Sequence, residues 1–135
     1  MTVQELFLDR NYNCAETILL WANRRYSLRI APEDVRLASG FGGGLGCGET
    51  CGALLGALAA LSKILVQDRA HTTPGFPEAC AGLVDRFRAD LGSIVCAELK
   101  EKYRRPDVRC LYVVERAAAV LDEYIHTLEE TQNEP

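Results

Sequence analysis

Apolar positions recur along most of this chain at intervals of three and four rather than two, and that period predicts helices. A short first helix runs to Leu8 with Thr2 or a neighbour as its cap. A second begins at an Asn13 cap and carries Cys14, Ile18 and Trp21 on one apolar face. Pro32 with Glu33 and Asp34 behind it has the form of a helix opening, predicting a helix over Glu33 to Ala38 that stops at Gly40. The run Gly40-Phe-Gly-Gly-Gly-Leu-Gly-Cys-Gly breaks the pattern, because each glycine costs about 1 kcal/mol relative to alanine inside a helix, and it is expected to be a loop. An Ala- and Leu-rich helix follows from Glu49 to Val66, with Gly52, Gly56 and Ala60 four apart forming a smooth ridge against which another helix packs closely. His71 to Pro77 reads as a linker. Beyond it, Pro77 or Glu78 opens a helix to Leu91, Ser93 caps another through Tyr103, and Pro106 opens the last, Asp107 to Leu128. In that last helix Cys110, Val113, Val114, Ala117, Leu121 and Tyr124 form one apolar stripe. No segment alternates as a strand would and no repeat is present. The expectation is therefore all-α: a single-domain bundle of about five to six helices over residues 1–130, with a Gly-rich loop before the central helix and a frayed tail at 131–135.

Composition narrows the partners. A chain of 135 residues that is 48% hydrophobic and 25% charged supports one core without cross-links. A net charge of −4 gives no electrostatic basis for nucleic-acid binding, and Arg24-Arg25 and Arg104-Arg105 read as solvated helix ends. The first residues lack a basic segment followed by an apolar one. The longest apolar stretch, Cys51 to Leu61, is too short to span a bilayer and contains two glycines. The expected setting is cytoplasmic and soluble, with no membrane insertion. Six cysteines in a reducing compartment then stand out, since there they point to metal binding or catalysis more than to cross-links.

Cys14, Cys51, Cys96 and Cys110 each fall on the inward face of a different expected helix, so packing would carry the four thiols toward a shared interior; the alternative is four small core hydrophobes. Cys14, Cys51 and Cys96 also lie near helix starts, where the partial positive charge stabilises a thiolate, while burial acts the other way. Cys47 and Cys51 form a C-x-x-x-C pair that would stack one turn apart if the helix began early enough. Cys80 reads as a core cysteine beside Val84 and Phe87. The glycine run has the form of an anion cradle but lacks a nucleotide fingerprint; the preferred reading is that its backbone passes close beside the thiols or another helix. His71 and His126 read as surface histidines. Glu16 and Glu49 lie near cysteines, as solvated acids or as proton acceptors.

The run Cys51-Gly-Ala-Leu-Leu-Gly56 matches the C-G-A-x-x-G motif of the C-GCAxxG-C-C family of redox-active proteins. Asn13-Cys-Ala-Glu16, Phe41-Gly-Gly-Gly44, Cys96-Ala-Glu-Leu99 and Cys110 before an Ala-rich helix agree with it. The resemblance spans Asn11 to Ala119 and implies that the four characteristic cysteines are Cys14, Cys51, Cys96 and Cys110, with Cys47 and Cys80 outside the set. It implies redox chemistry and supplies no substrate.

Three functions are expected from these features. The first is dithiol/disulfide exchange or electron transfer, with Cys51 as nucleophile and Cys47 or Cys14 resolving it, in partnership with a redox protein or a small thiol. The second is a metal-binding module in which Cys14, Cys51, Cys96 and Cys110 hold zinc or an iron–sulfur cluster. The third is a helical interaction protein whose cysteines only pack. The small-residue ridge also permits pairing of two copies as a homodimer.

Overall fold

The computed structural model describes residues 1–132 and is all-α. Among them are five α-helices: α1 (Cys14–Tyr26), α2 (Gly52–Leu65), α3 (Phe76–Leu91), α4 (Cys96–Tyr103) and α5 (Leu111–Gln132). Shorter helical turns precede α1 at Glu5–Asp9, cover Pro32–Phe41 as a 3-10 segment, and form Ala70–Thr72 before α3. Strand-like pairing among the described residues is limited to the isolated bridges Thr50–Val95 and Arg105–Arg109. No described helix is long and apolar enough to cross a membrane.

Each helix starts and stops for a local reason. Asn13 caps α1 through a reciprocal box: its Oδ1 accepts from the Glu16 N–H at 2.9 Å and the Glu16 Oε1 accepts from the Asn13 N–H at 2.9 Å. Ser27, in the left-handed region, ends α1. Pro77 sits in the first turn of α3, and Gly92 at a φ of 89° closes it. The core runs through α1, α2, α3 and α5, with Ile18, Leu54, Leu61, Leu83, Phe87, Leu91, Val114 and Leu121 almost wholly buried. The expected ridge on α2 meets α1, its most extensive neighbour. A Cβ at Gly56 would come 2.6 Å from the Ala15 carbonyl oxygen, so only glycine admits the α1 backbone at this distance.

Several boundaries differ from the sequence expectation. The Glu33–Ala38 helix is instead a 3-10 segment, Pro32–Phe41. Helix α2 starts at Gly52 rather than Glu49, because Thr50 and Cys51 are extended against Ile94–Cys96: the Cys51 N–H donates to the Ile94 carbonyl at 2.7 Å, and the Cys96 N–H to the Glu49 carbonyl at 2.6 Å. Ser93 does not cap α4 directly. Val95 takes that position, and the Ser93 hydroxyl accepts from the Val95 N–H at 3.0 Å. Pro106 opens a tight turn closed by Arg105 and Arg109, so α5 starts only at Leu111. Of the expected tail, Thr131 and Gln132 belong to α5, and residues 133–135 lie outside the described residues.

Candidate functional site

Four helices present their N-terminal ends to one place. Cys14 is the first residue of α1, Cys51 immediately precedes α2, Cys96 is the first residue of α4, and Cys110 immediately precedes α5 with its carbonyl accepting from the Val114 N–H at 3.1 Å. All four side chains line a cavity of about 250 Å³, together with Phe7, Leu99, Val113 and Val114 on its apolar walls. Each α-helix N-terminus carries roughly half a positive charge, so the ends converge on a region of positive potential.

Local geometry explains the positions. The Asn13 cap fixes Cys14, and the Asn13 amide also donates to the Ser39 carbonyl at 3.0 Å, while the Ser39 hydroxyl donates to the Glu16 Oε2 at 2.6 Å. Glu16 is thus a structural partner of the cap. Gly52 follows Cys51 because a Cβ there would come 2.5 Å from the Cys14 Sγ and 2.6 Å from the Phe41 carbonyl oxygen; the Cys14 thiol occupies the space that a side chain would fill. Gly44, at a φ of 63°, lets the loop turn against Cys96, whose Cβ lies 2.5 Å from where a Gly44 Cβ would be. The glycine run therefore brings backbone close beside two of the thiols.

Burial dominates the thiol electrostatics. It pushes Cys51 up to about 12, against the N–H groups of Leu54 and Ala53, which favour its ionised form. It raises Cys14 as well, against the N–H groups of Gly43 and Ala15. Cys110 is raised by burial and then by proximity to Cys96, and Lys100 and Arg104 oppose the rise. The four-cysteine cavity therefore holds Cys14, Cys51 and Cys110 as neutral thiols near neutral pH.

Cys47 and Cys80 are not among the lining residues. Cys47 lies in the exposed glycine loop, its Sγ facing the Gly44 carbonyl at 3.6 Å; with α2 beginning at Gly52, Cys47 and Cys51 are not stacked on one helix. Cys80 is half-buried on α3. His71 and His126 are exposed, with His126 Nδ1 2.8 Å from the Asp122 carbonyl oxygen, and Glu49 is exposed as well. Among the described residues, no group of three or more His, Cys, Asp or Glu side chains is arranged to hold a metal ion. The four thiols share one cavity without forming such a group.

Three cations missed in the sequence also line the cavity: Lys100, Arg104 and Arg109. Cys96, Lys100 and Arg104 are spaced four apart and so share one face of α4 and its end, a signal that was present in the sequence. Arg104 is a solvated helix end, as expected, and also part of the site. Arg109 is held in the wall at a φ of 54°, donating to the Phe7 carbonyl at 2.8 Å with its guanidinium carbon 4.6 Å from the centre of the Phe7 ring.

An all-helical fold that gathers one cysteine from the start of each of four helices around a shared cavity defines a class of small cysteine-site proteins. Within that class the chain belongs to the C_GCAxxG_C_C family, described as "Putative redox-active protein", whose model matches residues 12–124. Comparison with curated proteins and with solved structures returned no match.

Proposed function

We propose that this protein exchanges electrons through a dithiol/disulfide couple formed by Cys14 and Cys51 inside the cavity. The observation that carries this reading is the packing of the Cys14 Sγ over Gly52, beside Cys51, at the mouth of α2. Closing the bond removes two electrons and two protons from two thiols and yields a neutral disulfide. An incoming disulfide accepts both the electrons and the protons as it is reduced to two thiols. A neutral product suits a site where burial opposes the thiolate, and the N–H groups facing Cys14 and Cys51 support the transient anion that exchange requires. Cys96 and Cys110 complete the wall, and the exposure of Cys47 outside the cavity supports Cys14 over Cys47 as the partner of Cys51.

A second reading rests on the four thiols lining one cavity. A single zinc ion does not fit that arrangement. Four thiolates are a full ligand set for an iron–sulfur cluster, which Cys14, Cys51, Cys96 and Cys110 would hold and which would supply one-electron chemistry.

Anaerobic purification, native mass spectrometry, an absorbance spectrum and a thiol count before and after mild oxidation separate these readings. Dithiol exchange is expected to give a metal-free protein that loses two thiols reversibly, with a Cys14–Cys51 cross-linked peptide. Bound iron with four protected thiols would replace it with the cluster reading. Six unreactive thiols and no metal would leave a packing role for the cysteines.

A further inference from the structure

The charge of the cavity runs against the charge of the molecule. The chain carries a net −4, yet the charged side chains lining the cavity are Lys100, Arg104 and Arg109, and among the described residues no carboxylate lines it. Elsewhere Arg25, Arg69, Arg88 and Arg116 each meet an aspartate within 4.0 Å, whereas among the described residues none of these three cations does. Lys100 and Arg104 are exposed while lining the cavity, so they stand where it opens to solvent; Arg109 is half-buried. Uncompensated cations at a mouth with apolar walls focus the field inward and attract anions from solution.

We infer that the co-reactant of the cavity cysteines is a small anionic disulfide, drawn in by Lys100, Arg104 and Arg109; this rests on the dithiol reading above. A volume of about 250 Å³ suits a small molecule and excludes a folded protein surface, although one end of a larger anion can enter. The step balances without any further reagent. One cavity thiol gives up its proton as its sulfur attacks a sulfur of the incoming disulfide, and the thiolate that leaves takes up that proton to become one anionic thiol. The second cavity cysteine then attacks the mixed disulfide, forms the Cys14–Cys51 bond and releases the other anionic thiol. Two protein thiols and one disulfide give one protein disulfide and two thiols.

The test uses the reduced full-length chain and three probes of one chemistry and different charge: dithiodiglycolate (anionic), hydroxyethyl disulfide (neutral) and cystamine (cationic). Rates of cavity-thiol oxidation are read by peptide mass spectrometry and scaled to each probe's rate with an uncharged cysteine peptide. The anionic probe is expected to react about tenfold faster than the cationic one at low salt, a preference that high salt removes. Lys100→Gln with Arg104→Gln, which leaves only Arg109, should sharply reduce the preference, while Lys63→Gln with Arg36→Gln, an equal charge change away from the cavity, should retain it. Equal scaled rates for all three probes in the wild-type chain would overturn the inference and leave dithiol exchange standing. Failure of every probe to oxidise Cys14 and Cys51 would overturn both.

Discussion

At the scale of single residues the site depends on atoms that are absent. Gly52 and Gly56 leave room for the Cys14 thiol and the Ala15 backbone, and together they account for both glycines of the C-G-A-x-x-G motif. Gly52→Ala sets a methyl group against the Cys14 Sγ and the Phe41 carbonyl, and the backbone atom cannot rotate away. It is expected to cost about 1–3 kcal/mol in urea unfolding and to lower the yield of the Cys14–Cys51 cross-link. Gly40→Ala is the control, since nothing lies within 4 Å of a Cβ there. It should change stability by less than about 0.5 kcal/mol. An equal loss in both variants would show that glycine content, not the Cys14 contact, limits stability.

At the scale of elements, α1 is locked to α2 by close packing, and α3 is tied to α5 by charge. Arg116 donates through Nε at 3.0 Å and through its terminal nitrogen at 2.7 Å to the two oxygens of Asp90. The guanidinium holds the Asp90 carboxyl below its usual range. A carboxyl depressed in the folded state binds its proton more readily when unfolded, so its contribution is present above the ordinary carboxylate range and lost as pH falls below it. Because the pair is partly solvated, Asp90→Asn is expected to cost only about 1 kcal/mol at neutral pH. The difference from wild type should shrink in acid denaturation curves; a constant difference across pH would assign the loss to packing. The Tyr26 hydroxyl, donating to Asp122 at 2.6 Å, ties the end of α1 to α5 in the same way.

At the scale of the whole molecule, burial in the fold keeps Cys14, Cys51 and Cys110 protonated. Cys51 ionises at an ordinary 9.0 when exposed and at about 12 in the folded chain, so above pH 9 the unfolded state loses a proton that the folded state retains. Stability must therefore fall as pH rises through that window, by about 1.4 kcal/mol per unit for this one thiol. Denaturation under reductant between pH 8 and 11 should show the slope, and Cys51→Ala should flatten it. A wild-type curve no steeper than that of the variant would mean that the cavity admits enough water to solvate the thiolate.

Much of this protein is legible in its sequence because helix formation answers to local signals. The period of the apolar positions gave the helices, Asn13 with Glu16 gave the start of α1, and the glycine run gave the break before α2. The inward cysteines of four helices named the thiols that line the cavity. Boundaries failed where a distant segment competes with the helix. Cys51 stays extended because its N–H is bound by Ile94, and Cys110 precedes α5 because Arg105 and Arg109 close a turn after Pro106. The sequence by itself determined the helices, the glycine contacts' chemistry and the identity of the thiols. Only the tertiary structure decided that four helix starts converge, that Cys47 lies outside, and that three cations face the cysteines within an acidic chain. Those facts depend on the angles at which helices cross, which are set by side chains remote in sequence and by no local pattern.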